Sequence, residues 1–201
     1  MARQGPGVDR TIDPPPTGDP TPSGPAADPA REDPEPDPIS VARTICLQLL
    51  TTRARSRAEL AEALRRRNVP DEAAARALDR LAEVGLIDDH SFAAEFVRAK
   101  RAERGLSARE LSRQLRTKGV GEEAIDTALA GTSEDAERAT ARQLAERKLR
   151  TMSGLDTKVK IRRLAGLLAR KGYSPSLTFQ VVRQVVGESA SEYCDSDLML
   201  G

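Results

Sequence analysis

The chain has 201 residues, of which 31% are charged, and its formal net charge is only +1. No stretch approaches the length of an apolar membrane span, and the first residues lack the pattern of a signal peptide. We therefore expect a soluble, cytoplasmic protein without membrane contact. One histidine and two cysteines without a CxxC spacing predict no disulfide framework, no metal site and no cofactor.

Prolines divide the chain, because eleven of the thirteen lie before Ile39. This stretch has few large apolar side chains to offset the entropy of ordering, so we predict a disordered arm over residues 1–38. Residues 188–201 hold four acidic and no basic residues and predict a flexible acidic tail. Residues 39–187 hold 29 basic and 19 acidic residues, which suits a polyanionic partner such as nucleic acid or serves solubility alone.

One pattern occurs three times in the remaining chain. Two leucines stand four residues apart, Asn or Gly follows four residues later, and an apolar residue comes directly after it. Each copy predicts a helix with leucines on one face, closed by a residue in the left-handed conformation. The copies are Leu60-Leu64-Asn68-Val69, Leu111-Leu115-Gly119-Val120 and Leu164-Leu168-Gly172-Tyr173.

Helical signals on both sides extend each copy to a three-helix unit. The predicted fold class is all-α, with three tandem three-helix repeats over residues 39–87, 88–131 and 132–187. Because such units bury little apolar surface alone, we expect stacking to give one continuous core and an elongated, curved array of either hand.

Capping boxes are predicted where the middle helix of the first two repeats begins. In the third repeat basic residues take the same positions, so its middle helix should begin earlier. The corresponding pairs are Ser56 and Glu59, Ser107 and Glu110, Lys160 and Arg163.

No catalytic constellation is visible, since a nucleophile with a base, a phosphate loop and convergent acids are all missing. His90 follows Asp88 and Asp89 at a helix start. Adjacent helical residues point in different directions, so these carboxylates fit helix capping better than metal binding. We predict that the protein is not an enzyme.

The candidate binding residues are therefore basic. The position before each helix cap is basic in all three repeats, where it either stabilises the helix dipole or faces a partner. Denser clusters are either solvated faces or partner contacts. With three Phe, two Tyr and no Trp, DNA contact should be electrostatic, weakly specific and salt-sensitive. The candidates are Arg67, Arg98, Lys100, Arg101, Arg104, Lys118, Arg147, Lys148, Arg150, Lys160, Arg162, Arg163, Arg170 and Lys171.

Three segments stand in the same order as in a known family. They are Gly85 to Asp89, Leu111 to Val120 and Leu164 to Tyr173. With the three tandem units, they resemble RecX, the bacterial regulator of the RecA recombinase, over residues 39–187. The resemblance implies a non-enzymatic protein, expected to be a monomer, that binds the RecA filament and single- or double-stranded DNA. It would restrain recombinase, ATPase and co-protease activity in homologous recombination, DNA repair and the SOS response.

Two other functions are compatible with the same residues. A transcriptional regulator is one, because each repeat resembles a helix-turn-helix. The predicted helix over 122–130 is, however, short and rich in Ala and acid, unlike a recognition helix. The second is a helical scaffold that binds only proteins and uses its basic surplus for solubility.

Overall fold

The fold is all-helical in a computed structural model, which describes residues 37–198, with side chains as far as Glu188. The predicted disordered arm lies almost wholly outside these residues. Within them, the all-α class and the three tandem three-helix units are confirmed, and no helix is long and apolar enough to cross a membrane. The helices are α1 Pro38–Thr52, α2 Arg57–Arg65, α3 Asp71–Glu83, α4 Asp89–Arg104, α5 Ala108–Thr117, α6 Glu122–Leu129, α7 Glu134–Arg150, α8 Thr157–Arg170 and α9 Pro175–Leu198.

The repeated leucine pattern forms the predicted helix and cap in each repeat. All six leucines are completely buried. The closing residues adopt the left-handed conformation, with φ of 56° at Asn68, 70° at Gly119 and 87° at Gly172. Each turn is closed by a backbone hydrogen bond from the following apolar residue to the second leucine of the pattern, as from Val69 to Leu64 at 3.2 Å.

The first predicted capping box is present and the second is only half formed. The Ser56 hydroxyl accepts the Glu59 N–H at 3.1 Å, and the Glu59 carboxylate accepts the Ser56 N–H at 3.4 Å. The Ser107 hydroxyl likewise accepts the Glu110 N–H at 3.2 Å. The Ser107 N–H, however, donates to the Lys171 carbonyl at 3.0 Å, so a neighbouring repeat replaces the expected carboxylate.

The expectation of one continuous core is wrong for the described residues. Their buried apolar side chains form three clusters, one inside each repeat. The first helix of each repeat packs on the third, α1 on α3, α4 on α6 and α7 on α9, so each unit closes around its own leucines. Repeats meet instead through helix ends and turns.

Helix α9 continues to Leu198, past the point where we expected a flexible tail to begin. No proline or glycine occurs between Gly187 and Gly201, so nothing in this segment breaks the helix. The acidic composition alone did not indicate where the helix ends.

Candidate partner interface

The turn that contains Lys118 joins the second repeat to the first. The Ser56 hydroxyl at the start of α2 donates to the Lys118 carbonyl at 2.6 Å, while the Lys118 ammonium pairs with Glu59 at 2.7 Å. The same ammonium lies 5.9 Å and 5.7 Å from the ring centres of Phe92 and Phe96, within cation–π range. Lys118 thus holds two repeats together, and its contact with a partner stays a prediction.

The turn that contains Lys171 joins the third repeat to the second in the same way. Its carbonyl accepts the Ser107 N–H, and its ammonium donates to the Arg104 carbonyl. The Tyr173 hydroxyl donates to the Gly105 carbonyl at 3.0 Å, and burial raises the pKa of Tyr173 to about 12. Lys118 and Lys171 therefore occupy equivalent places at successive junctions.

The third basic residue that stands before a helix cap, Arg67, lies in the first repeat that the structure describes. Its side chain is exposed, and its guanidinium donates to the Ala63 carbonyl at 3.2 Å within its own helix end. This contact fits the helix-dipole interpretation.

Acid should weaken the first junction through Glu59. Burial raises the pKa of this carboxyl, but hydrogen bonds and positive charge from Arg53 and Lys118 outweigh it and bring the pKa to about 2. The stabilisation is thus present above about pH 4.5 and is lost as the pH falls towards 2. We expect E59Q to lower the free energy of unfolding by about 2 kcal/mol at pH 7 and by roughly half as much near pH 3.5, measured by urea unfolding.

The matched control is E72Q, which removes an exposed carboxylate that pairs with Arg76 at 2.7 Å on α3. Its effect should stay within about 0.5 kcal/mol at both pH values. An equal effect of E59Q at the two pH values would contradict the role of its ionised form.

The structure brings two predicted basic clusters, distant in sequence, to one groove. We call it the α4–α7 groove. Arg98 and Arg101 of α4 lie on one side, and Arg147 and Arg150 of α7 lie on the other. Ala102, Gly105, Thr140, Gln143 and Glu146 complete its lining.

The α4–α7 groove carries positive charge that is only partly balanced. Arg98 pairs with Glu95 at 2.6 Å, but neither Arg147 nor Arg150 has an ion pair with any residue that the structure describes. The Glu146 carboxylate is itself held by Arg142 at 2.6 Å. These groups can bind an anion such as a phosphate, and guanidinium donors suit that geometry.

Lys171 gives a second sign of positive potential beside this groove. Burial, together with the charges of Arg104 and Arg147, lowers the pKa of its ammonium. The direction agrees with crowding of like charges.

The other predicted site residues lie elsewhere. Lys100 pairs with Glu103 at 2.9 Å on α4, and Lys148 is exposed on α7. A second group belongs to α8 and does not line the α4–α7 groove, so the fourteen candidates are spread over more than one surface. This α8 group comprises Lys160, Arg162, Arg163 and Arg170.

A second groove, between α2 and α5, was missed in the sequence. Five of its lining residues are arginines outside the predicted set, and carboxylates compensate most of them. Arg53 pairs with Glu59 at 3.0 Å, for example, and Arg116 pairs with Glu122 at 2.6 Å. Alternation of arginine and glutamate hid the groove, and its place at a repeat junction depends on contacts between residues distant in sequence. The arginines are Arg53, Arg55, Arg66, Arg113 and Arg116.

Family models match the chain in three consecutive segments. They describe the first, second and third three-helix domains of RecX and match residues 42–81, 88–129 and 135–182. Together these segments cover more than half of the chain.

Named relatives are similar over most of their length. The regulatory protein RecX of Streptomyces coelicolor is 49% identical over 160 residues, which cover 80% of this chain and 85% of that protein. The regulatory protein RecX of Thermobifida fusca is 49% identical over 143 residues, which cover 71% of this chain and 77% of that protein.

Solved structures share the fold. A crystal structure of RecX from Lactobacillus salivarius superposes with a TM-score of 0.65 at 21% identity, covering 74% of this chain and 97% of that one. A crystal structure of a regulatory protein RecX superposes with a TM-score of 0.65 at 26% identity, covering 72% of this chain and 73% of that one. With three consecutive domain matches and relatives near half identity, this chain belongs to the RecX family of regulatory proteins.

Proposed function

We propose that this protein binds the RecA filament and restrains its recombinase, ATPase and co-protease activities in DNA repair and the SOS response. The observation that carries the proposal is the ordered match of all three RecX domains to residues between 42 and 182. RecA is thus the partner that the family implies.

Support for DNA contact comes from the α4–α7 groove. Its four arginines lie beside Thr140 and Gln143, and guanidinium donors suit phosphate oxygens, which carry no sequence information. Binding should therefore be weak, independent of sequence and sensitive to salt. Contact with the DNA that a filament encloses would place the protein where it restrains the filament.

Support for binding rather than catalysis comes from the chemistry of the same groove. Its only carboxylate, Glu146, is engaged by Arg142, and its hydroxyl, Thr140, donates to the Ala136 carbonyl at 2.8 Å. Neither group is arranged as a nucleophile with a base.

The transcriptional regulator is the less favoured candidate. The helix that would read DNA in the second repeat, α6, begins with Glu122 and Glu123 and carries Asp126. Carboxylates along such a short helix would repel phosphates.

Purified protein at substoichiometric amounts is expected to co-sediment with RecA filaments and to slow their DNA-dependent ATP hydrolysis and strand exchange. ATP hydrolysis is measured with RecA and single-stranded DNA, with and without the protein. Stimulation would keep a regulatory role and reject restraint. Absence of co-sedimentation together with unchanged ATPase and strand exchange would reject the proposal.

A further inference from the structure

The third repeat exposes apolar side chains beside a groove between α8 and α9. Four large apolar side chains are exposed among residues 37–188, and two of them, Phe179 at 67% and Ile161 at 42%, lie at this groove. The lining of this α8–α9 groove is Ile161, Ala165, Gly166, Ala169, Tyr173, Pro175, Thr178, Phe179 and Val182. Small residues on α8 leave room beside the Phe179 ring.

A buried hydroxyl in the same wall lacks a partner. Thr178 is 7% exposed, and its Oγ1 has no hydrogen bond within the part of the chain that the structure describes. A buried polar group without a partner is costly, and such groups are rare. Because Thr178 lines the groove, rotation of its side chain on docking would bring this buried hydroxyl to a hydrogen-bonding group of a bound molecule.

Charge around the groove has a single sign. Residues 157–187, which form α8 and most of α9, include seven basic and no acidic residues. Arg162 and Arg170 lie within one helical turn of lining residues on α8, and Arg183 lies one turn after Phe179 on α9. None of the three has an ion pair with any residue described by the structure. The rim is thus complementary to an anionic partner.

We infer that the α8–α9 groove docks an acidic protein segment that carries large apolar side chains. The apolar side chains cover Phe179 and Ile161, and the carboxylates face the basic rim. After the Thr178 side chain rotates, a backbone or carboxylate oxygen accepts from its hydroxyl. A protein segment fits better than DNA, because the lining holds one exposed aromatic ring and single-strand platforms stack several bases. The inference rests on the proposed function, since it assigns the segment to a RecA subunit.

The first test replaces the exposed apolar side chains. The F179S/I161S variant is expected to bind RecA filaments at least tenfold more weakly in co-sedimentation and to bind free DNA within twofold of the original protein. The matched control is V84S/L86S, which removes the other two exposed side chains, 53% and 52% exposed, and should bind filaments within twofold. Circular dichroism checks that both variants fold.

The second test removes one hydroxyl. T178V keeps the shape of the side chain, so the free protein should unfold at the same or a higher urea concentration. Filament binding should weaken about threefold to tenfold, the size expected for one hydrogen bond. A variant that is as stable as the original protein or more stable, yet binds filaments more weakly, separates a binding role of Thr178 from a structural one.

The outcomes separate the two proposals. If the original protein fails to sediment with filaments, the proposed function fails and this inference fails with it. If it sediments and both F179S/I161S and T178V bind as well as it does, only the inference is overturned. Loss of DNA binding in place of filament binding would assign the groove to DNA and overturn the inference. If sedimentation velocity shows that the original protein is a dimer and the F179S/I161S variant a monomer, the groove would be assigned to a second copy. If trypsin cleaves F179S/I161S faster at Arg10 and Arg31 than it cleaves the original protein, the groove would be assigned to the N-terminal arm. Either result would overturn the inference.

Discussion

Replacing Gly119 with alanine is expected to lower the free energy of unfolding by about 3 kcal/mol. A left-handed residue with a Cβ costs about 1 kcal/mol, and an added Cβ at Gly119 would overlap the Cβ of Ala58 on α2. Overpacking against a helix backbone that cannot move aside adds about 2 kcal/mol. Urea unfolding at neutral pH measures the total.

Gly85 provides the matched control. Its φ of +71° is close to the +70° of Gly119, but nothing lies within 4 Å of an added Cβ. G85A should therefore cost only the conformational part, about 1 kcal/mol. The difference between G119A and G85A in free energy of unfolding measures the close approach of the two repeats. Equal losses of free energy in the two variants would contradict that close approach.

Removing four cations from the α4–α7 groove should weaken DNA binding about tenfold or more at 0.1 M salt, roughly the effect of losing several phosphate contacts. The variant is R98A/R101A/R147A/R150A. Each lost contact should also reduce the magnitude of the slope of log affinity against log salt by about 0.9 for duplex DNA, so four lost contacts should reduce it by about 3.6. Fluorescence anisotropy with a labelled oligonucleotide over a salt series measures both quantities.

A variant of equal charge separates the groove from the overall charge. R43A/R65A/R76A/R80A removes four exposed arginines of the first repeat, all outside the α4–α7 groove. Its DNA affinity and salt slope should stay close to those of the original protein. Equal losses in the two variants would show that total charge, and not the groove, binds DNA. A scaffold that binds only proteins predicts instead that the α4–α7 groove variant keeps its DNA affinity.

The helices and their caps were predictable from the sequence because their signals are local. Leucines four residues apart and a glycine or asparagine at the cap act within one or two turns, as at Leu60, Leu64 and Asn68. The proline at the first position of α9, Pro175, is a local signal of the same kind.

The junctions and grooves were not predictable because they depend on pairs distant in sequence. The hydrogen bond from Ser56 to Lys118 joins residues 62 positions apart, and the bond from Tyr173 to Gly105 joins residues 68 positions apart. The basic clusters were visible separately, but only the junction of the second and third repeats places Arg98 and Arg147 around one groove. The unpartnered hydroxyl of Thr178 leaves no trace in the sequence.

The two junctions share one plan that the third repeat does not continue within the described residues. In each junction, the turn after the middle helix of one repeat contacts the serine that begins the middle helix of the repeat before it. This serine is Ser56 in the first junction and Ser107 in the second. The third repeat has Lys160 at the corresponding position, inside α8, so a turn with Arg67 from another molecule would meet a like charge there in place of a serine. Within the described residues, the serine-started junction that joins the repeats therefore has no counterpart at the start of α8.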